Sequence, residues 1–165
     1  MLGVEPSAIL SFRDEYLRLA DDKESANELS ENCFIIEEFL KQELAVGNIR
    51  KEHFTNQAAV IKIHGHCHQK ALSNTSRTFD ILNIPENYKV TIIPSGCCGM
   101  AGSFGFKKEH YDVSKSIGER SLFGPIRSAD TDVAVVSEGV SCRQHITDNT
   151  GRSAIHLVEL IASII

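Results

Sequence analysis

The chain has 165 residues, 42 % of them hydrophobic and 24 % charged, with a net charge of −5. That length supports one domain with its own core. No apolar run is long enough to span a bilayer, and the negative balance argues against nucleic acid, which needs a basic face. The start, "MLGVEPSAIL", shows no basic segment followed by a long apolar one, so no signal peptide is expected. In chain order, "GVE" reads as a first short strand. Ser7 is placed to cap a helix through "AILSFRDEYLRL". "NELSENCFIIEEFLKQELAVG" carries Leu29, Cys33, Ile36, Leu40 and Leu44 at three- and four-residue steps, which predicts one helix ending at Gly47. "VIKIH" from Val60, "KVTIIP" from Lys89 and "DVAVVS" from Asp132 read as buried strands, apolar without alternation. The helix candidates "KALSNTSRTFDIL" and "HYDVSKSIGERSLF" follow the first two of these, and "HLVELIASII" closes the chain. The alternation implies an α/β fold with three layers: a mostly parallel sheet of four to five strands with helices on both faces. No repeat, linker or low-complexity tract interrupts it.

Five cysteines without a signal peptide point to reduced thiols in a cytoplasmic setting, where clustered cysteines more often bind metal or react than form disulfides. Four of them fall at equivalent places. Cys67 in "HGHCHQKA", the adjacent Cys97 and Cys98 in "PSGCCGMAGSFGF", and Cys142 in "EGVSCRQH" each follow a strand end and precede a helix. The carboxyl ends of parallel strands share one edge, and ligands bind there. Helix N-termini lower thiol pKa values, and the glycines let backbone amides approach sulfur. Three chemistries fit the thiols: a zinc site, an iron–sulfur cluster, or a redox-active Cys97–Cys98 disulfide. A vicinal pair fits one small tetrahedron poorly and a larger cluster more readily. Buried inert thiols are the fourth reading, and the one expected for Cys33 on its helical stripe.

"GHCHQKAL", "GCCGMAGSFGF" and "GVSCRQHI" together resemble the cysteine-rich CCG domain found in heterodisulfide reductase and in the iron–sulfur subunits of glycolate oxidase. The order "EPS…RDEY", "GCCGMAGSFG", "HYDVS" and "SCR" is most similar to the C-terminal iron–sulfur region of long FAD-linked D-2-hydroxyacid oxidases. The resemblance implies an electron-transfer domain with an iron–sulfur cluster, of the 4Fe-4S type and open to loss in air, on Cys67, Cys97, Cys98 and Cys142. It implies that the chain is the non-catalytic part of an oxidoreductase acting on lactate, glycolate or 2-hydroxyglutarate. Its partners would be the flavin and ferredoxin-like domains of the parent enzyme, which leaves peripheral membrane association through that parent open. FAD would belong to the full-length enzyme, since "GMAGSFG" lacks the Rossmann fingerprint.

Two departures from the family pattern stand out. The fuller motif ends in Cys-x-x-Cys, but here Cys142-Arg-Gln-His145 places His145 where a second thiol is expected, as a ligand or as a polar residue of the first helical turn. Where many relatives have cysteine after "EPS", this chain has Ala8. Residues 1–50 therefore read as a helical stub of a preceding CCG repeat, and 51–165 as the CCG-type α/β domain. Of His64, His66 and His68, the two nearest Cys67 (His66 and His68) are expected to tune the site by hydrogen bonding, together with Arg143, Gly96 and Gly99. Lys70 carries a weaker version of the charge argument. The competing reading is a structural or docking module with a zinc site or a reactive thiol pair.

Overall fold

The computed structural model describes residues 1–165. The chain begins with β1 (Leu2–Gly3), α1 (Pro6–Ile9), a 3-10 turn (Leu10–Arg13), α2 (Glu15–Leu19), α3 (Lys23–Glu31), β2 (Phe34–Ile35) and α4 (Ile36–Ala45). It continues through β3 (Ala59–Ile63), α5 (Cys67–Leu72), α6 (Ser76–Leu82), β4 (Tyr88–Ile92), α7 (Tyr111–Glu119) and α8 (Phe123–Arg127). β5 (Ala134–Val136), α9 (Val140–Thr150), β6 (Ala154–Ile155) and α10 (Leu157–Ala162) complete it. The main sheet is parallel, in the order β4-β3-β5-β6. Ile61 lies between Val90 and Ala134, and Ile63 between Ile92 and Val136, so β4, β3 and β5 end in step.

Side-chain alternation along the strands makes the layers. Ile61, Ile63, Val90 and Val136 pack with Ile81 and Leu82 of α6 and with Leu157 and Ile161 of α10. Val135 turns the other way, into Leu122, Phe123, Ile126 and Ile146 beside α8 and α9. The expected three-layer α/β architecture is therefore present. Each fully buried aliphatic side chain stabilises it by about 1.5–3 kcal/mol.

Several expected elements take a different form. The strand at "GVE" exists, but it pairs in parallel with β2 in a small second sheet rather than joining the main one. The helix expected over 27–47 is two helices with β2 between them. Pairing of Phe34 and Ile35 with Leu2 and Gly3 overrides their local helical pattern. Cys33 is thus not on a helical stripe, yet it is fully buried with Ile9, Leu10 and Ile35. Glu5, not Ser7, caps the first helix: its carboxylate accepts from the Ser7 amide and hydroxyl, with Pro6 at the first helical position. The "KALSNTSRTFDIL" helix breaks at Asn74, whose Oδ1 accepts from Ser76 N at 2.8 Å. β6 has no counterpart among the expected strands, since two residues carry no periodicity.

Residues 1–50 pack closely on the remainder. Arg13 grips Glu38 through two contacts of 2.5 and 2.9 Å, and Ser73 at the end of α5 donates to the same carboxylate at 2.7 Å. Arg13 also donates to the Cys33 carbonyl. At the other end Glu5 Oε2 accepts from Val140 N at 2.8 Å, at the start of α9.

Candidate metal centre

β3, β4 and β5 end together, and the chain leaves each of them into one of the three cysteine segments. A cavity of about 500 Å³ at this edge is lined by Cys67, Cys97, Cys98 and Cys142, with Ser7, His66 and His68 among the other walls. A separate hollow between Leu40, Ile81 and Ile161 is a gap in the apolar core and holds no such chemistry. The thiols mark the site. All five cysteines are free thiols.

The two adjacent cysteines face different partners. Cys98 is buried, with its sulfur 3.2 Å from that of Cys142. Cys97 is half-buried, beside the exposed Cys67. The thiols form a chain in the order 67, 97, 98, 142, and their proton affinities alternate along it. Cys97 is held below the usual thiol range by hydrogen bonds from Cys67 and Cys98, with the Gly99 amide also donating to it at 3.2 Å. Cys142 is pulled down to about 5 by the Cys98 thiol against its burial, helped by the nearby His64 and His66 rings. Cys67 is pushed up mainly by its contact with Cys97, and Cys98 by its contacts with Cys142 and Cys97. Four cysteine sulfurs around one cavity form a soft donor set suited to zinc or an iron–sulfur cluster.

The backbone is shaped for this. Gly99 has φ +108°, and a Cβ there would strike the Ser114 carbonyl. A Cβ at Gly139 would run into His66 and meet Cys142 Sγ. Ala101, on the cavity wall, holds φ +44°, a left-handed conformation that costs an L-residue about 1–2 kcal/mol. Lys70 Nζ donates to the carbonyls of Ser95 (2.7 Å) and Gly96 (3.0 Å), pinning the Cys97 loop to α5.

His64 is fully buried. Its Nδ1 is 2.8 Å from Ser95 Oγ, and the Ser95 hydroxyl donates onward to the Ile93 carbonyl at 3.4 Å. Nδ1 is thereby occupied by Ser95, which leaves Nε2 as the free ring nitrogen. Nε2 has no hydrogen-bond partner, and a ring nitrogen of His64 lies within 4.8 Å of both the Cys98 and Cys142 sulfurs. A buried orphan nitrogen beside two thiols fits a metal-binding role.

In sequence, the chain is 36% identical over 99 residues to one subunit of the anaerobic glycerol-3-phosphate dehydrogenase of Escherichia coli (strain K12), covering 60% of this chain and 24% of the relative. It is 26% identical over 167 residues to D-2-hydroxyglutarate dehydrogenase of the same strain, covering 100% of this chain and 15% of the relative. The Haemophilus influenzae D-2-hydroxyglutarate dehydrogenase is 27% identical over 152 residues, covering 88% of this chain and 14% of the relative. The chain is a homologue of part of these dehydrogenases. This agrees with the resemblance to 2-hydroxyacid dehydrogenases read from the cysteine motifs. The chain spans about a quarter or less of the length of these curated relatives. No family model and no solved structure matches it.

The other residues singled out in the sequence fall as follows. His66 caps α5, its Nδ1 accepting from His68 N at 3.2 Å, and stacks on the His68 ring at 5.5 Å. Arg143 donates to the carbonyls of Ser137 (2.9 Å) and Glu138 (2.6 Å), fixing the turn from β5 into α9. Gly96 donates to Ser121 Oγ and has open space where a Cβ would stand. His145 is buried outside the cavity lining; its Nε2 meets Ser114 Oγ and its Nδ1 meets the Asn149 amide, both at 3.2 Å. Cys67 and Cys142 do sit in the first turn of a helix, whereas Cys97 and Cys98 lie in a loop with α7 starting only at Tyr111.

Sequence reasoning missed a buried carboxyl pair under the site. Glu138 lies just past β5 and is fully buried, with neither oxygen partnered. Burial first, and then the charge of Glu37, raises its pKa to about 8. Glu37 is buried too and is also raised by burial; it accepts from Gln69 Nε2 at 3.0 Å and Thr78 Oγ1 at 3.3 Å. The visible signal is a glutamate closing the apolar run "DVAVVSEG". No helix is long and apolar enough to cross a membrane.

Proposed function

We propose that this chain is an iron–sulfur electron-transfer domain of an oxidoreductase that oxidises a 2-hydroxyacid or a related alcohol. The observation that carries this is the convergence of four thiols, from three register-matched strand ends, on one cavity. Cys67, Cys97, Cys98 and Cys142 hold the cluster, which when bound takes up and releases one electron at a time. The chain's own residues hold it in place: Lys70 fixes the Cys97 loop and Arg143 fixes the Cys142 turn. The Gly99 amide donates to Cys97, and His66 and His68 wall the cavity. Amides and rings around sulfur tune a cluster's potential.

Substrate oxidation belongs to a flavin-bearing part of the parent enzyme. This domain would accept electrons from that part and hand them to ferredoxin-like domains. The D-2-hydroxyglutarate dehydrogenases support the hydroxyacid, and the glycerol-3-phosphate dehydrogenase subunit supports the wider class of secondary alcohols. Iron and acid-labile sulfide analysis of oxygen-free protein tests the reading. Brown protein with matching iron and sulfide is expected. Colourless protein containing zinc alone contradicts it.

A further inference from the structure

The donors at the site divide into an outer pair, Cys67 and Cys97, and an inner trio. Cys98 Sγ and Cys142 Sγ stand 3.2 Å apart, and a His64 ring nitrogen lies within 4.8 Å of each. Two thiolates on a single tetrahedral metal, each about 2.3 Å from it, sit about 3.8 Å apart. Thiolates on separate irons of a cluster stand further apart, because the iron–iron distance adds to the span. At 3.2 Å the inner pair stands nearer the spacing of two ligands on one metal than that of ligands on separate irons, and opening by about 0.6 Å would seat the metal between them. All three inner residues are buried, and His64 Nε2 has no hydrogen-bond partner in the protein. A buried polar atom without a partner carries a penalty that a metal would remove. The Ser95 hydroxyl on the far side of the ring supplies the outer hydrogen bond that metal-bound histidines usually have.

We propose that His64 Nε2, Cys98 Sγ and Cys142 Sγ bind one and the same metal atom. The assignment rests on the metal-binding reading above and adds a histidine to its thiols. It also answers why the two cysteines are adjacent. Cys98 completes the inner metal corner, and Cys97 faces Cys67 and a second position. His66 is not the imidazole concerned, since the donor atoms that lie within 4.8 Å of one another are those of His64, Cys98 and Cys142.

Cobalt(II) is the probe. The reduced, oxygen-free chain is titrated with it and followed by visible absorption and cobalt-edge X-ray absorption. Tetrahedral bands are expected, with sulfur and one imidazole in the coordination shell. His64→Ala should weaken cobalt binding at least tenfold and remove the imidazole signature, while His66→Ala should retain it. Failure to bind cobalt, a sulfur-only shell in the unaltered chain, or an unchanged His64→Ala titration overturns the assignment. The unaltered chain's spectrum decides the matter even where His64→Ala does not fold. Iron and sulfide analysis separates the two readings. A cluster assembled with a sulfur-only shell refutes the His64 assignment alone. Cobalt bound by sulfur and imidazole, in a chain that assembles no cluster, refutes the cluster alone.

Discussion

Replacing Glu138 with glutamine tests the buried carboxyl pair. The folded protein holds the Glu138 proton up to about pH 8, against an ordinary value of 4.5. Between those values the unfolded chain has released this proton and the folded chain has kept it, so stability falls as pH rises across that window. One proton gives a slope of about 1.4 kcal/mol per pH unit, and the whole window gives on the order of 5 kcal/mol. The stability is fully present near pH 4.5 and gone above pH 8. The pair Glu37–Glu138 titrates as a unit, so this slope belongs to both. Glu138→Gln keeps the shape and removes the proton. Urea unfolding of metal-free, reduced protein from pH 5 to pH 8.5 reads the effect. The variant should match the parent near pH 5 and be more stable by several kcal/mol at pH 8. Parallel stability curves for the two proteins would refute the argument.

Arg13→Ala removes the forked partner of a carboxylate whose side chain is only 4% exposed, leaving Glu38 with the Ser73 hydroxyl, the Ile35 amide and a longer contact to Arg77 at 3.9 Å. A loss of about 3 kcal/mol in chemical denaturation is expected, and a change under about 1 kcal/mol would show that the pair does not clamp the first 3-10 turn onto α4. Gly99→Ala forces a side chain into φ +108° against the Ser114 carbonyl. Backbone strain alone costs about 1–3 kcal/mol, and metal uptake should fall with it; an unchanged melting temperature would mean the loop relaxes freely. Alkylation of the metal-free chain at pH 6 should strike Cys97 before Cys67. Cys97 is held as a thiolate, while Cys67 is more exposed but keeps its proton. Peptide mapping that finds Cys67 modified first contradicts the alternation of proton affinities along the thiols.

The sheet was legible because β3, β4 and β5 are short runs rich in Val and Ile; the expected burial on both faces does not hold for the edge strand β4, where Tyr88 and Val90 are buried and Lys89 and Thr91 exposed. The site followed from it, because the carboxyl ends of parallel strands share an edge wherever their register lies. Elements set by distant partners were not legible. Phe34 and Ile35 look helical until Leu2 and Gly3 pair with them, and Ala154–Ile155 is a strand only beside β5. His64 shows the same limit at the site. Sequence distance to Cys67 favoured His66 and His68. His64, just past the end of β3, instead meets Cys98 and Cys142 across the sheet edge, which no spacing within "HGHCH" reveals. The divergence of Cys97 and Cys98 likewise depends on what lies on either side of their loop.

Everything proposed for this chain depends on sulfur atoms from positions 67, 97, 98 and 142 enclosing one metal assembly. Crystals grown without oxygen, with data collected at the iron edge, give the sharpest test. An anomalous peak is expected in the cavity between these residues, about 2.3 Å from the nearest cysteine sulfurs. A cavity without anomalous density in iron-containing protein, or iron bound elsewhere on the molecule, would show the thiols to serve another purpose.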